Sequence, residues 1–222
     1  MHKESSGEWD AGKLIQRGRM HSEHGFFDSA ISDFNAALAQ EPENASAFRG
    51  RGFARLGLGK YRLALADCNE AVRLDPENAE SFFGRALVYI KLGDKLDSTT
   101  SYGSALDDLN KTLELNPNHA TAYGNRGYCN NKLDHLDDAF PDFEKAIELG
   151  LDNESIYLNR GLAYALSGNH EAAVADYTQA IQRNPKDPVF YECRGQSRHK
   201  LGQSKEALAD FMQVEKLGEE ES

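Results

Sequence analysis

Apolar residues recur along most of the chain at intervals of three and four positions, the spacing that places them on one face of an α-helix. This pattern predicts two kinds of helical segment that alternate from about residue 11 to residue 217. Glycine, asparagine and proline lie between the segments, where helices begin and end. The expected fold class is therefore all-α.

One sequence motif recurs six times, and each copy has an alanine at its second position. The copies are SAISDFNAAL at Ser29, LALADCNEAV at Leu63, SALDDLNKTL at Ser104, DAFPDFEKAI at Asp138, AAVADYTQAI at Ala172 and EALADFMQV at Glu206. The copies are 34 residues apart with one exception. A second recurring segment precedes each copy and pairs an arginine with a small residue, at Arg17, Arg51, Arg85, Arg126, Arg160 and Arg194. The chain is therefore built from six repeats of two helices each.

These residues resemble the tetratricopeptide repeat (TPR) family, whose 34-residue unit has a large residue at position 4, a small one at 8, alanine at 20, an aromatic residue at 24 and proline at 32. Position 20 is alanine in every repeat, and a proline ends four of the six repeats: Pro42, Pro76, Pro117 and Pro185. The resemblance implies a right-handed superhelical solenoid of antiparallel helix pairs. It also implies that the first helix of each pair lines a concave groove and that the second forms the convex back.

The predicted array, residues 11–217, lies between a polar N-terminal segment, 1–10, and an acidic tail, 218–222. Its repeats span 11–44, 45–78, 79–119, 120–153, 154–187 and 188–217. The third repeat has seven additional residues within DKLDSTTSYG, which either lengthen both helices or form a polar Ser/Thr-rich loop. In the fourth repeat Gly150 stands near the end in place of proline, and a cap by Asp137 or Asp138 would place Pro141 in the first turn of its helix.

The composition excludes several classes of function and partner. With 25 Lys and Arg against 36 Asp and Glu, the net charge is -11, which disfavours nucleic acid because binding depends on neutralising phosphates. No segment approaches the length of a membrane span, and residues 1–10 lack the apolar run of a secretory signal. Cys68, Cys129 and Cys193 are odd in number and far apart, as expected for reduced thiols. We expect a cytoplasmic protein without membrane insertion.

Arginine at position 7 and aspartate at position 23 recur in all six repeats. The aspartates are Asp33, Asp67, Asp108, Asp142, Asp176 and Asp210. Because position 7 faces the second helix, we predict Arg–Asp ion pairs that join the two helices of a repeat. Further basic residues of the first helices, among them Arg19, Arg49, Arg55 and Arg198, would then give the groove a modest positive charge.

In the family, positions 2, 5, 6, 9, 12 and 13 of the first helices face the groove. The predicted partner-binding residues at these positions are Ile15, Arg19, Arg49, Phe53, Leu56, Phe83, Leu87, Ile90, Asn125, Tyr128, Asn131, Lys132, Leu158, Asn159 and Leu162. Such a trough suits a protein or peptide partner that is acidic or amphipathic. An amphipathic helix would use the apolar side chains, and an extended peptide would use the asparagines; the sequence leaves both open.

Several specific functions are disfavoured. Chaperone-binding members of the family hold a terminal carboxylate with lysines and asparagines, and the corresponding positions here include Phe83, Leu87 and Ser155. The segment ARLGLGKY at Ala54 lacks the first glycine and the Ser or Thr of a phosphate-binding loop. We predict no enzymatic activity, cofactor or metal, and a function as a cytoplasmic scaffold or co-chaperone-like adaptor.

The C-terminal end of the array suggests an alternative function. A terminal repeat needs a polar outer face or a capping helix, and the last repeat has neither. Leu208, Met212 or Val214 should then be exposed on the last helix. The alternative function is a structural protein that forms homo-oligomers through its uncapped C-terminal helix.

Overall fold

The computed structural model describes residues 9–220, with residue 220 described by its backbone alone. Most of the predicted N-terminal segment 1–10, and residues 221–222 of the predicted acidic tail, therefore lie outside the described residues. The described chain forms twelve α-helices and contains no strand. Its contacts cluster into two compact units that meet in sequence at Pro117 and Asn118.

Unit 1 contains the three helix pairs of the first three repeats: α1 (Ala11–Glu23), α2 (Phe27–Gln40), α3 (Ala45–Gly57), α4 (Tyr61–Leu74), α5 (Ala79–Leu96) and α6 (Thr99–Leu115). Each helix packs against the next one in sequence, and the first helices of neighbouring repeats also touch, α1 with α3 and α3 with α5. This arrangement confirms the predicted all-α array of antiparallel pairs within the unit.

Unit 2 contains the remaining three pairs: α7 (Ala120–Lys132), α8 (Leu136–Glu148), α9 (Glu154–Leu166), α10 (His170–Arg183), α11 (Pro188–Lys200) and α12 (Ser204–Glu220). Consecutive helices pack together as in unit 1, and α9 contacts both α7 and α11. Since α12 continues to Glu220, residues 218–220 of the predicted acidic tail are helical.

The turn inside most pairs depends on a left-handed backbone conformation. Gly25, Gly59, Gly168 and Gly202 occupy equivalent places and have φ angles between 68° and 82°. In the fourth repeat Asp134 takes this place with φ 61°. Glycine is favoured there because a side chain strains the left-handed region.

Side chains fix where most of the first helices begin. An Asp or Asn residue precedes five of them and accepts a hydrogen bond from a backbone N–H of the first turn: Asp10, Asn44, Asn78, Asn153 and Asp187. Before α7, His119 performs this role through Nδ1, 3.2 Å from the nitrogen of Ala122. These caps satisfy donors that a helix leaves without partners.

The seven additional residues of the third repeat lengthen both helices. α5 has 18 residues and α6 has 17, against 13 and 14 in the preceding pair. Tyr102 is 2% exposed, and its hydroxyl donates to Asp94 Oδ1 over 2.9 Å. The predicted alternative of a polar loop is wrong, because Tyr102 has a buried place to fill against α5.

The expectation for Pro141 is also wrong. α8 begins at Leu136 after His135, which makes no side-chain cap, so Pro141 is the sixth helical residue and not part of the first turn. Proline has no N–H to donate to the carbonyl of Asp137, and the helix continues past it to Glu148. Asp137 and Asp138 lie inside the first turn, where negative charge favours a helix N-terminus.

Small residues allow helices to approach closely, both within a repeat and between neighbouring repeats. All six position-20 alanines are at most 2% exposed. Phe34, with no exposed surface, lies against Gly18 and Gly50: a Cβ atom built on Gly50 would be 2.4 Å from its ring. Likewise a Cβ on Gly127 would be 2.7 Å from the ring of Phe143. The aromatic residue thus occupies the space that a side chain on the glycine would need.

Gly127 and Gly103 allow a matched test of this packing. Both are helical, but nothing lies within 4 Å of a Cβ built on Gly103. We expect Gly103→Ala to stabilise the protein by up to about 1 kcal/mol through helix propensity. Gly127→Ala should destabilise it by about 1–3 kcal/mol because Phe143 must move. Urea unfolding of both variants measures this, and equal shifts would contradict the packing argument.

Candidate partner-binding surfaces of the first helices

The predicted Arg–Asp pairs form in all six repeats. In each, the Nε and Nη2 atoms of the arginine donate to the carboxylate of the aspartate, as in the pair of Arg160 and Asp176 with both distances 2.8 Å. The aspartates are only 3–5% exposed. In the third repeat Arg85 reaches Asp108 over 2.7 and 2.8 Å although seven more residues separate them.

The same arginines also join neighbouring repeats. Nη1 of Arg51 donates to Asn35 over 2.6 Å, and Nη1 of Arg85 donates to Asn69 over 3.0 Å. In unit 2, Arg194 donates to Thr178 over 3.1 Å. Each of these acceptors lies on the second helix of the preceding repeat. A single guanidinium therefore ties together three helices.

Repeats 2 and 6 add a second cation to the buried aspartate. Arg55 donates to Asp67 over 2.6 Å, and Arg198 donates to Asp210 over 2.8 Å. Their charges are therefore engaged within the fold, which corrects the expectation that they remain available in a groove. In the first repeat His21 occupies the equivalent place, with Nδ1 2.9 Å from Asp33.

The carboxyl of Asp33 shows the electrostatic consequence. Burial alone would raise its pKa, but hydrogen bonds with Arg17 and His21 outweigh burial, and the pKa lies below its ordinary value. On the cationic side, hydrogen bonds to the aspartates raise the pKa values of Arg85, Arg126 and Arg160. In the first repeat, where hydrogen bonding to Asp33 also raises the pKa of Arg17, both members of the pair are thus held in their charged forms at neutral pH.

Removing one member of a pair tests its structural role. In the Arg160→Met variant Asp176 stays buried without its cation, and we expect a loss of about 3 kcal/mol in unfolding free energy. The double variant Arg160→Met, Asp176→Leu should recover much of this loss, since it buries no charge. As a control, Lys145→Met breaks a surface pair with Glu148 and should cost less than about 1 kcal/mol. Equal losses from Arg160→Met and Lys145→Met would contradict this role.

The lowered pKa of Asp33 predicts that the unfolding free energy of the protein depends on pH. A carboxyl whose pKa is lower in the folded state stabilises the protein above the unfolded pKa, about 3.9, and loses this contribution as pH falls through the folded pKa. The difference in unfolding free energy between the His21→Gln protein and the His21→Gln, Asp33→Asn protein should thus begin to narrow below about pH 4 and keep narrowing as pH falls towards the folded pKa. The His21→Gln background removes the imidazole that contacts Asp33, so the comparison reports the pairing of Asp33 with Arg17. A constant difference in urea unfolding between pH 5 and pH 3 would contradict the shift.

The predicted groove residues of unit 1 divide into accessible and buried groups. Arg19 is exposed, and four residues are half-buried: Arg49, Phe53, Leu56 and Leu87. Ile15, Phe83 and Ile90 are only 7%, 9% and 4% exposed. Since neighbouring first helices pack directly on one another, these three side chains belong to the core, which corrects their assignment to a partner-binding surface.

A cavity of about 360 Å³ opens on the first repeat and the start of the second. It is lined by Arg19, Ser22 and Glu23 of α1, by Phe27 and Phe34 of α2, and by Arg49, Gly50 and Phe53 of α3. We call it the α1–α3 cavity. It brings together three of the predicted partner-binding residues, Arg19, Arg49 and Phe53.

In unit 2 two of the predicted asparagines serve the fold. The side-chain amide of Asn131 donates to the backbone carbonyl of Asn159 over 2.7 Å, which joins α7 to α9. Asn125 donates to the carbonyl of Thr121 within its own helix over 2.8 Å. These amide N–H groups are therefore engaged, and an extended peptide has fewer amide donors there than the sequence suggested.

The other predicted residues of unit 2 are accessible to different degrees. Leu158 packs partly on the core, whereas Leu162 is 37% exposed. The ammonium of the exposed Lys132 lies 5.4 Å from the ring centre of the half-buried Tyr128, close enough for a cation–π contact. An apolar residue and a cation thus remain available on neighbouring first helices.

Two exposed apolar residues were missed by the sequence analysis. Leu166 is 63% exposed and Val189 is 44% exposed, and they stand at positions 13 and 2 of their repeats. Leu166 follows Leu162 by one helical turn on α9, and Val189 lies in the first turn of α11. Applying the groove positions to every repeat would have found both. We call Leu162 and Leu166 the unit 2 apolar patch, and Val189 lies apart from it at the start of the next first helix.

The last helix also exposes apolar side chains. Leu208 and Met212 are each 60% exposed, as predicted, and Phe211 is 36% exposed. Val214 is half-buried. This row lies on α12, which has no following helix pair among the described residues.

The three cysteines are free thiols, with Cys68 and Cys129 buried. Burial, assisted by the charge of Asp67, raises the pKa of Cys68 to about 12. Over residues 9–220, no helix combines the length and hydropathy of a membrane span. Within the same range, no three His, Cys, Asp or Glu side chains gather as a metal site requires.

The helix pairs, the repeated Arg–Asp contacts and the glycine–aromatic packing define a helical-hairpin repeat protein. Sequence profiles described as tetratricopeptide repeat match residues 15–76, 53–98 and 97–154, and two further profiles of the same description match 155–187 and 176–209. The chain belongs to the tetratricopeptide repeat family. No curated protein sequence matches it significantly.

Solved structures share the fold. A TPR protein from Parabacteroides merdae is 26% identical, with TM-score 0.71, over 92% of this chain and 78% of that one. A thermophilic TPR protein from Thermus thermophilus is 22% identical, with TM-score 0.68, over 84% and 98%. YrrB, described as a TPR protein with an unusual peptide-binding site, is 25% identical, with TM-score 0.62, over 82% and 90%.

Proposed function

We propose that this protein is an interaction scaffold or adaptor that holds a peptide or helical segment of a partner protein on the surface of its first helices. The observation that carries the proposal is the unit 2 apolar patch, whose two members, Leu162 and Leu166, are 37% and 63% exposed. Both stand at positions that face the ligand groove in this family, as does the exposed Val189 of the next repeat. Exposed apolar residues grouped on one surface are typical of interaction sites.

The surroundings of the patch favour an amphipathic partner with acidic character. Leu162 and Leu166, one turn apart on α9, suit apolar anchors of a partner helix or strand. Lys132 offers a positive charge on α7 of the same unit. With Asn125 and Asn131 engaged within the fold, side-chain packing and charge supply most of the binding. The peptide-binding site of YrrB provides a precedent within the same fold.

The proposal includes a non-enzymatic, cytoplasmic role. The TPR family works mainly through protein contacts, and the repeated carboxylates of this chain are taken up by arginines. Free thiols at all three cysteines suit a reducing compartment. A heat-shock chaperone C-terminus is not the partner we propose, because Phe83 and Leu87 stand where the chaperone-binding members carry polar residues.

Self-association through α12 is a second candidate function. Leu208, Phe211 and Met212 form an exposed apolar row on the final helix. In three of the preceding repeats the equivalent of Met212 is a polar residue that accepts a hydrogen bond from the next repeat: Asn35, Asn69 and Thr178. Met212 instead suits an apolar cover.

One pair of variants separates the two functions. Peptides selected from a random library on the wild-type protein should bind Leu162→Asp at least about tenfold more weakly, since burying one leucine contributes about 1.5–3 kcal/mol. The matched control Leu208→Asp replaces an exposed leucine on α12 and should bind the same peptides with unchanged affinity. Both dissociation constants are measured by calorimetry, after thermal unfolding shows that each variant is folded.

The opposite effects of the two substitutions on peptide binding would locate the site on a different helix. Binding that survives Leu162→Asp and disappears with Leu208→Asp would transfer the peptide site to α12 and contradict the first-helix proposal. For self-association, the mass measured by sedimentation should rise with concentration in the wild type and not in Leu208→Asp. A constant monomer mass in the wild type would exclude self-association as the function of α12.

A further inference from the structure

The exposed face of α12 differs from the face by which other second helices receive the next repeat. Position 25 is polar in the five preceding repeats, and in three of them it accepts a hydrogen bond from the position-7 arginine of the following first helix. In the last repeat this position is Met212. Position 28 is Glu215 in the last repeat but apolar in the preceding ones: Leu38, Val72, Leu113, Ile147 and Ile181. On α12, the polar and apolar positions that a following first helix requires are therefore exchanged.

One stripe of this face is apolar at its centre and carries opposite charges at its two ends. Leu208 and Met212, each 60% exposed, lie one helical turn apart. Lys205 lies one turn before Leu208, and Glu215 lies one turn after Met212. Both are exposed, and neither forms an ion pair within residues 9–220. Spacings of three and four residues place the four side chains on one side of the helix. We call Lys205, Leu208, Met212 and Glu215 the α12 seam.

The α12 seam is complementary to a second copy of itself in the antiparallel direction. About a two-fold axis level with position 210, residues equally far before and after that position face each other. Leu208 then faces Met212 of the second copy, and Lys205 faces Glu215 of the second copy. The symmetry forms each of these contacts twice. Phe211, which is 36% exposed, lies next to the axis and faces its own equivalent, where two aromatic rings add to the apolar contact.

Other pairings of α12 are less favourable. Sliding the two antiparallel helices by one heptad would place Leu208 opposite Glu219 or Lys205. Parallel helices would place like charges opposite each other at both ends of the seam, which is destabilising. The first helix α1 of a second copy, which would extend the array head to tail, would bring Arg17 against Met212, and Met212 has no oxygen or nitrogen acceptor. Charge complementarity therefore favours the antiparallel pairing.

We propose that α12 pairs antiparallel with α12 of a second copy through the α12 seam, and that this contact closes a homodimer. The inference rests on the second candidate function, self-association, and names the surface that each copy contributes. Each copy has a net charge of -11, which opposes association in general, so the two Lys205–Glu215 contacts select this pairing. One helix from each copy makes a small interface, and the dimer should therefore dissociate on dilution.

Charge reversal tests the pairing in the full chain. Lys205→Glu and Glu215→Lys each place like charges opposite each other twice, and each should weaken dimerisation at least about tenfold. An equimolar mixture of the two variants restores both ion pairs in the heterodimer, so its mass in sedimentation equilibrium should rise with concentration as in the wild type.

The matched control is Glu206→Lys, which makes the same charge change as Glu215→Lys at an exposed position of α12 outside the seam. It should dimerise like the wild type. Thermal unfolding establishes that each variant is folded, which is expected because all three positions are exposed. A mixture that remains monomeric, or a control that loses dimerisation as Glu215→Lys does, would overturn the proposed pairing.

Introduced cysteines test the register of the two helices. In the proposed dimer the two copies of position 205 are ten residues apart along the helix axis, or about 15 Å, whereas position 205 faces position 215. A disulfide requires Cα atoms within about 7 Å. In a Cys193→Ser background, diamide should therefore cross-link a mixture of Lys205→Cys and Glu215→Cys proteins but neither protein alone. Cross-linking of Lys205→Cys alone to the same extent would contradict the antiparallel register.

The sedimentation results separate this inference from the proposed functions. If the wild type associates and Leu208→Asp does not, while the charge-reversal mixture stays monomeric, the antiparallel pairing alone fails and self-association stands. If the wild type is monomeric at every concentration, self-association fails together with the pairing, and peptide binding by the first helices is unaffected. Growth of the wild type beyond a dimer would indicate a head-to-tail contact and overturn the closed pairing.

Discussion

The buried carboxylate at position 23 is the constraint on which the rest of the structure depends. A charge that is at most 5% exposed must be paired, and the position-7 arginine is the group that pairs with it in every repeat. The planar guanidinium donates from two nitrogens, which fixes both the distance and the rotation of one helix against the other. Its third nitrogen, where Asn35, Asn69 or Thr178 accepts, extends the same constraint to the preceding repeat.

Close helix approach then decides which residues fill the interface. Glycine in the middle of a helix costs about 1 kcal/mol relative to alanine, yet Gly18 and Gly127 lie in helix interiors beside buried rings. The rings of Phe34 and Phe143 have no exposed surface, so their burial offsets the weaker helix propensity of the glycines. The arginine, the glycine and the aromatic residue are therefore one packing solution, repeated with small changes along the chain.

The periodicity of the sequence was enough to predict the helix pairs and the Arg–Asp contacts. These include the pair of Arg85 and Asp108, which seven additional residues separate in sequence. Local composition failed where tertiary packing decides. DKLDSTTSYG has the composition of a loop, but Tyr102 is buried against α5, and the segment is helical on both sides of a short turn at Asp97 and Ser98. The family pattern also assigned Phe83 and Ile90 to the groove, and this assignment is wrong. The pattern gives the direction in which a side chain points, but not how closely the next first helix covers that side chain.

Residues that differ from their equivalents in the other repeats point to function, because residues that recur in every repeat are accounted for by the packing of the repeats. Arg55 and Arg198 vary the pattern and are absorbed by a buried aspartate in the same repeat. Arg49 varies it at a position where Ile15 and Phe83 are buried, and the described part of the fold provides no acceptor for its Nη1. The difference between these two cases is the presence of a neighbouring anion within the repeat.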